Sequence, residues 1–200
     1  LSGGEAMQHP EWARIAQMAA TAKSRGPFNV GNVSCLTFRC LPSDGDANLH
    51  MNNARYPMLA DIGRYDIFIR SGLVKLGRER GWAPMMGGIQ CVFLREIRLW
   101  RRFELFSSLE LWRGLQFLGK HRFVLENGQT ACEILTTAGV YDLRNRRFVA
   151  IEEVMVALGI NAASREPTEN ESRFLASHEA LRTHAKFPIS PRLDNASPAD

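Results

Sequence analysis

Hydrophobic positions near the start of the chain recur with the spacing of a helix. Within residues 10–24, Trp12, Ile15 and Met18 lie three positions apart, and this periodicity is typical of an amphipathic helix. Gly26 follows as a stop signal. We therefore expect an N-terminal leader and helix within residues 1–26.

The next two segments predict a strand followed by an enclosed helix. From residue 33 to residue 41 apolar and polar side chains alternate as in a strand, and Pro42 then ends the pattern. Residues 54–73 place apolar side chains on most sides of a helix, which indicates a helix surrounded by other elements. Its main stripe consists of Tyr56, Leu59, Ala60, Gly63 and Ile67.

The second half of the chain has the pattern of an antiparallel meander. Short turns separate runs that predict strands at residues 88–99, 105–112, 117–126, 129–142 and from 148 onward. Asn127-Gly128 predicts a two-residue hairpin turn. Beyond Gly159 the chain is polar, so we expect one helix near residues 171–184 and a poorly ordered tail at 190–200. One strand, one long helix and a meander predict an α+β fold.

Composition favours one soluble domain with tails. The 200 residues suffice for one sizeable core and are too few for two comfortable domains. No apolar run reaches the length of a membrane span and no signal peptide opens the chain, so we expect a cytoplasmic protein. The four cysteines form no CxxC pair and have no histidine at metal-ligand spacing, so we expect no metal site.

The net charge of +4 suits an anionic partner. Nucleic acid, the phosphates of coenzyme A and an acidic carrier protein all fit this charge, and composition does not choose among them. The arginines are spread along the predicted strands and turns without a basic arm. Because no nucleic-acid-binding signature is present either, we expect no nucleic-acid partner.

One short segment carries more hydrogen-bonding side chains than a helix start requires. It is DGDANLHMNNARY, residues 44–56, between the predicted strand and the long helix. A helix entry explains one or two of these residues, since Asp and Asn side chains accept hydrogen bonds from a first helical turn. Asp44, directly before Gly45, is most simply a turn residue. Asp46, Asn48 and His50 are left over, and they are residue types that reactions use.

The motif and the order of elements resemble the hotdog-fold thioesterase superfamily, including its 4-hydroxybenzoyl-coenzyme A thioesterase-like and acyl-carrier-protein (ACP) thioesterase-like members. The likeness covers roughly residues 33–159 and rests on the pattern D-x-N-x-H-x-N-N-A-R-Y, on LADIGRYDIFIRSGL, and on the later FLREIRLWRRFELFSSLELW and NGQTACEILTTAGVY. It implies a long central helix wrapped by an antiparallel sheet, with added N- and C-terminal helices. The hotdog domain would span residues 27–160, and a C-terminal helix and flexible tail residues 161–200.

This resemblance also implies an acyl-thioester hydrolase acting on acyl-CoA or acyl-ACP, with no metal and no cofactor other than the substrate's own carrier. Asp46 matches the carboxylate that acts as nucleophile or general base in the family. Asp46, Asn48 and His50 together match the catalytic triplet of the plant ACP enzymes. The backbone N–H of Asn53, at the helix start, would bind the carbonyl oxygen of the substrate. Leu49 stands where many members carry glycine.

The chemistry of these residue types agrees with that assignment. Asp46 can attack a thioester directly or take a proton from water. His50 can hold that water or protonate the product thiolate, and Asn48 can orient either one through its amide. His50 as a structural residue that fixes the loop is the simpler alternative.

The same residues bear on other classes of function and on assembly. Hydratases of this fold use Asp and His five positions apart, whereas Asp46 and His50 are four apart and Asp44 and His50 six, which disfavours dehydration. A non-catalytic acyl-CoA-binding or scaffold protein of the hotdog fold stays open. The resemblance further implies a homodimer or higher homo-oligomer, joined at a sheet edge.

Large aromatic residues in the predicted strands would either line an acyl pocket or form the core. They are Phe93, Trp100, Phe103, Phe106, Trp112, Phe117 and Phe123. The apolar surface along helix and sheet leads us to expect long or aromatic acyl groups to be preferred over acetyl.

Overall fold

The computed structural model describes residues 10–185. The chain divides into two compact units between Glu166 and Pro167. The helices of the first unit are α1 (Pro10–Thr21), α2 (Arg55–Arg70), α3 (Leu73–Arg80) and α4 (Ile151–Ala157), with 3₁₀ turns at Ala22–Arg25 and Pro42–Asp44. Its strands are β1 (Val33–Arg39), β2 (Trp82–Phe93), β3 (Arg102–Arg113), β4 (Gln116–Leu125), β5 (Thr130–Asp142) and β6 (Arg147–Val149).

The second unit contains α5 (Glu169–His184), which confirms the helix predicted near the C-terminus. Its start is a capping box: the N–H of Thr168 donates to the Glu171 carboxylate at 2.8 Å, and the N–H of Glu171 donates to the Thr168 hydroxyl at 3.4 Å. The tail predicted at residues 190–200 lies outside the described residues.

All six strands form one antiparallel sheet in the order β1-β3-β4-β5-β2, and β6 pairs with the end of β5. The helix α2 packs against β1, β3, β4 and β5. Its predicted apolar stripe is buried. The ring centroids of Tyr56 and of Phe123 in the sheet lie 5.0 Å apart. Gly63 allows the close approach, because a Cβ there would collide with the Ser107 side chain. The predicted α+β plan of an enclosed helix against an antiparallel sheet is confirmed.

Several element boundaries differ from the sequence-based expectation. The strand β2 begins at Trp82 rather than at residue 88, and α3 precedes it. The strand expected from residue 148 onward is only the short β6, and the chain then forms α4. The prediction of a two-residue hairpin turn at Asn127-Gly128 was also wrong. The strand β4 ends at Leu125 and β5 begins only at Thr130, and Gly128 in the connecting loop has φ 80°.

One edge of the sheet is exposed and apolar. The strand β2 pairs with β5 on one side only and ends the sheet order. Its exposed large apolar side chains are Met85, Met86, Ile89, Val92 and Phe93. Among the described residues, no helix has both the length and the apolar composition needed to cross a membrane.

Candidate active site

The motif loop, residues 44–53, leads from the 3₁₀ turn after β1 to the start of α2, and it contains every residue predicted to be catalytic. Asp44 anchors it. The fully buried Asp44 carboxylate accepts hydrogen bonds from Arg14 on α1 at 2.6 and 2.9 Å, and from Arg55 on α2 at 3.2 and 3.3 Å. The N–H of Leu41 donates to it at 2.8 Å. Asp44 thus joins α1, the end of β1 and α2.

These contacts commit Asp44 to structure. Burial opposes its ionisation, but the hydrogen bonds from Arg14, the Leu41 N–H and Arg55 outweigh that cost and hold the pKa of the carboxyl below its usual range. The carbonyl oxygen of Asp44 accepts the N–H of Asn52 at 2.8 Å, which closes the base of the loop. The interpretation of Asp44 as a simple turn residue is therefore replaced by that of a buried, ion-paired anchor.

Asp46, two positions further, has a different environment. Its side chain is 24% exposed, and Oδ1 lies 3.6 Å from Nδ1 of His50, whose side chain is 27% exposed. Oδ1 also accepts the backbone N–H of Asn48 at 2.9 Å. Within residues 10–185 no group donates to Oδ2 of Asp46, so this oxygen can reach a water or a substrate. The structure brings Asp46 and His50 together at the surface.

Asn48 takes part in the loop through its backbone, and its side chain is exposed. Leu49 follows with φ 60°, in the left-handed region that favours glycine. Its N–H donates to the carbonyl oxygen of Asp46 at 3.1 Å, which keeps the loop tight. His50 then pairs in an antiparallel bridge with Arg98, in the segment before β3. The loop is thereby fixed to the segment that connects β2 and β3.

The start of α2 presents a free N–H beside the motif loop. The N–H of Asn52 donates to Asp44, that of Ala54 to the Asn52 side chain at 2.9 Å, and that of Arg55 to the Asn52 carbonyl at 2.9 Å. For the N–H of Asn53 the described part of the chain offers no acceptor. A free N–H at the positive end of a helix suits a substrate carbonyl oxygen.

Sequence reasoning missed the two arginines that hold the anchor. Arg14 lies thirty positions before Asp44, and nothing in the local pattern separates it from other helix-surface arginines. Arg55 had a weak signal, because it lies within the motif itself. No group of three or more His, Cys, Asp or Glu side chains among residues 10–185 has the arrangement of a metal site.

A second polar group, the interior cluster, consists of Arg64, Ser107, His121 and Thr136. The fully buried His121 has Nδ1 at 2.9 Å from the Ser107 hydroxyl and Nε2 at 3.3 Å from the Arg64 guanidinium. Because a guanidinium only donates, Nε2 accepts and the N–H is on Nδ1. Burial and then the charge of Arg64 lower the pKa of His121 to about 3, so the ring is neutral.

The interior cluster borders a small apolar cavity of ≈ 60 Å³ between α2, the sheet and α4. Phe68, Phe117 and Met155 are among the side chains that line it. The full burial of His121 and its contacts with Ser107 and Arg64 indicate a structural role. The strand aromatics divide between core and surface: Phe103, Trp112, Phe117 and Phe123 are buried, whereas Phe93 and Trp100 are exposed.

The chain belongs to the thioesterase-like superfamily, because the model of that family matches residues 40–158, more than half of the chain. The matched region contains the motif loop, α2 and the strands β2 to β6. The family resemblance seen in the sequence is therefore confirmed.

Relatives and solved structures agree with this placement. The chain is 39% identical over 84 residues to Protein THEM6 from Xenopus laevis, a match that covers 42% of this chain and 41% of that protein. The chain thus matches less than half the length of this curated relative. YbaW from Escherichia coli superimposes with a TM-score of 0.57 at 22% identity, covering 63% of this chain and 94% of YbaW.

SAV2348 from Staphylococcus aureus, whose structure is in complex with CoA, superimposes with a TM-score of 0.55 at 14% identity, covering 88% of this chain and 99% of that one. At such identities the likeness shows the fold. The hotdog fold expected from the sequence is confirmed.

Proposed function

We propose that the protein is an acyl-thioester hydrolase in which Asp46 performs the attack on the thioester or activates a water for it. The proposal rests on the different environments of two aspartates in one loop. Asp44 is buried and ion-paired, whereas Asp46 keeps an unoccupied oxygen at the surface next to His50. Oδ1 of Asp46 also accepts the N–H of Asn48 within the loop, and its second oxygen is left for a water or a substrate.

The proposed reaction balances without a further reagent. As general base, Asp46 takes a proton from water as the water oxygen bonds to the thioester carbonyl carbon. The N–H of Asn53 stabilises the oxyanion, and one such donor typically contributes on the order of 10² to 10³ in turnover. The C–S bond then breaks, and the proton held by Asp46 passes to the thiolate, directly or through His50, so that the Asp46 carboxylate is regenerated. Asn48 orients the water or His50 through its exposed amide.

In the nucleophilic alternative, a carboxylate oxygen of Asp46 bonds to the carbonyl carbon, the C–S bond breaks to release the thiolate, and water then hydrolyses the resulting anhydride. The two routes differ in where a solvent oxygen goes. A single turnover in ¹⁸O-labelled water places the label in the acid product if Asp46 is the base. It leaves the label in the Asp46 side chain if Asp46 is the nucleophile and water attacks the carboxylate carbon.

The first experiment is hydrolysis of a panel of aromatic, short-chain and long-chain acyl-CoA esters, followed by thiol release. We expect turnover by the wild type, with long or aromatic acyl groups ahead of acetyl. Asp46→Asn should lower turnover by roughly 10² to 10⁴, because the amide keeps the shape and loses the basicity. Binding without hydrolysis, or near wild-type turnover of Asp46→Asn, would favour a non-catalytic acyl-CoA-binding protein instead.

We further propose that the protein forms a homodimer through the β2 edge. An exposed edge strand that carries large apolar side chains is a ready surface for pairing with a second copy. Light scattering at micromolar concentration should give twice the monomer mass. Ile89→Lys should shift the protein to monomer, whereas Leu181→Lys, an equally drastic change at an exposed position of α5, should not. A wild-type monomer at all concentrations contradicts this assembly.

A further inference from the structure

Exposed arginines from two separate segments come together at one end of the sheet. One segment is the end of the helix α3, and the other is the turn between β5 and β6 together with the first residue of β6. All of these arginines are exposed. We call them the basic patch: Arg78, Arg80, Arg144, Arg146 and Arg147.

Direct contacts hold the two segments of the basic patch together. The guanidinium of Arg144 donates to the carbonyl oxygen of Glu79 at 3.0 Å, and the N–H of Leu143 donates to the carbonyl oxygen of Gly81 at 2.9 Å. Gly81 has φ 78°, and a Cβ there would collide with the Arg144 side chain. Glycine therefore lets the turn approach the end of α3 closely, and the relative position of the two segments is fixed.

The arginines next to these contacts are held in place without ion pairs. The guanidinium of Arg80 lies 4.8 Å from the ring centroid of Trp82. Asp142 uses its carboxylate to order the turn: Oδ1 accepts the N–H groups of Arg144 and Asn145, both at 2.9 Å, and Oδ2 accepts the Asn145 amide at 2.7 Å. The turn thus has a defined shape, while the guanidinium groups stay at the surface.

The positive charge of the basic patch is not compensated. Within residues 10–185 no arginine of the patch forms a salt bridge with a carboxylate. Elsewhere on the surface, Arg98 pairs with Glu96 at 2.6 Å. The two segments contribute two carboxylates, Glu79 and Asp142, against the five guanidinium groups of the patch. Such an excess of one charge on one surface favours an anionic partner.

Large apolar side chains lie among these charges. Leu143, in the turn itself, is 57% exposed, and Phe148, next to Arg147, is 47% exposed. Apolar side chains interleaved with arginines are typical of a surface that lies on a lipid bilayer, because the apolar groups enter the headgroup layer while the guanidinium groups bind lipid phosphates. The aliphatic side chain of Leu143 offers no stacking face to a nucleic-acid base. An anionic bilayer therefore fits both features.

The basic patch and the motif loop lie at opposite ends of the strand β2. Trp82, which contacts Arg80, is the first residue of β2, and the motif loop is bridged to Arg98, beyond the last residue of that strand. The 12 residues of β2 extend over about 40 Å. A partner bound at the patch is thus remote from Asp46 and His50.

We propose that the basic patch docks the protein on an anionic membrane surface. The guanidinium groups contact lipid phosphates, and Leu143 and Phe148 enter the headgroup layer. Docking of this kind is peripheral and needs no membrane-spanning helix. Each arginine near an anionic bilayer contributes roughly a factor of five to binding, so the patch as a whole supports reversible attachment.

The first test is co-sedimentation of the full chain with two kinds of vesicle. One kind is phosphatidylcholine alone, and in the other about a third of the lipid is phosphatidylserine. At low salt the wild type should bind only the second kind, and about 0.5 M NaCl should release it, because salt screens exposed charges. Equal binding to both kinds, or to neither, overturns the proposal. Binding to an RNA homopolymer without binding to vesicles also overturns it.

A pair of charge variants tests whether the basic patch itself makes the contact. Arg146→Gln/Arg147→Gln should lower affinity for the anionic vesicles by about 25-fold. The matched control, Arg101→Gln/Arg102→Gln, removes the same charge from two adjacent exposed positions beyond the far end of β2 and should lower it by less than about fivefold. Thermal unfolding checks that both variants are folded. Equal losses would mean that net charge alone drives binding, which contradicts docking through the patch.

A fluorescent probe tests whether the turn enters the bilayer. The emission added by Leu143→Trp, measured against wild type, should shift to shorter wavelength on anionic vesicles and be quenched by brominated lipid. Val33→Trp, at an exposed position of β1 on the opposite edge of the sheet, is the control and should show neither change. Equal responses of the two, or no response of Leu143→Trp on bound protein, contradict the proposal. Because these assays use no thioester, their outcome is independent of the proposed hydrolase function.

Discussion

The motif loop and the interior cluster contain similar side chains in opposite surroundings. His50 is 27% exposed and lies beside Asp46, whereas His121 is fully buried beside Arg64 and Ser107. Nδ1 of His50 lies 3.3 Å from the carbonyl oxygen of Met51, and Nδ1 of His121 lies 2.9 Å from the Ser107 hydroxyl, so hydrogen bonding alone does not separate the proposed reactive histidine from the structural one. Access to solvent distinguishes the two histidines. Burial keeps His121 neutral and fully bonded, while His50 and Asp46 remain open to a substrate.

The largest expected effect tests the anchor of the motif loop. Asp44→Asn removes the charge that Arg14 and Arg55 share, and breaking a buried ion pair from one side typically costs about 3–5 kcal/mol. Urea unfolding should show this loss. Asp46→Asn is the matched control at a partly exposed position and should change the free energy of unfolding by less than about 0.5 kcal/mol. Equal destabilisation by the two variants would erase the distinction between anchor and reactive carboxylate.

The two histidines should respond to substitution in opposite ways. His50→Ala is expected to lower kcat by at least about tenfold, because it removes a proton-transfer or water-positioning group, with little change in stability. His121→Gln should cost about 1–3 kcal/mol of stability by disturbing a buried hydrogen-bond network, and kcat per folded molecule should be retained. Thiol-release kinetics and thermal unfolding on the same preparations measure both. A kcat loss in His121→Gln alone would reverse the assignment.

The interior cluster should also appear in the pH dependence of stability. The folded pKa of His121, about 3, lies far below the unfolded value, so between these values the unfolded chain binds a proton that the folded chain does not. The contribution of His121 is therefore complete above about pH 6.5 and is lost as the pH falls, by about 2 kcal/mol at pH 5. The difference in unfolding free energy between wild type and His121→Gln should shrink over this range. A constant difference contradicts a neutral, buried His121.

The smallest expected effect concerns the backbone of the motif loop. Leu49 is 68% exposed at φ 60°, so Leu49→Gly removes strain without losing a buried side chain. The relief, about 1–2 kcal/mol, is partly offset by the greater freedom of glycine in the unfolded chain. We expect stability to rise by less than about 1 kcal/mol in denaturant titrations. A clear loss of stability would mean that the Leu49 side chain has a contact in the assembled protein.

Local patterns sufficed for those parts of the fold that depend on neighbours in sequence. The period of apolar residues predicted α1 and α2, and the enclosed character of α2 followed from apolar positions on most of its sides. Local patterns did not predict the helices α3 and α4. The segment of α4 is short and rich in Val and Ile, which are typical of strands, while Glu152 and Glu153 in its first turn favour a helix start.

In the candidate site, too, some features follow from the sequence and others only from the tertiary structure. The sequence identified Asp46, Asn48 and His50 as candidates because these residue types lie within one loop between a strand and a helix, and the family resemblance added Asn53. Only the tertiary structure decided that Asp44 is ion-paired with Arg14, thirty positions away, and that Arg98 lies beside His50. Burial and ion pairing depend on which distant segments pack together, and one sequence read along its length carries no direct record of those contacts.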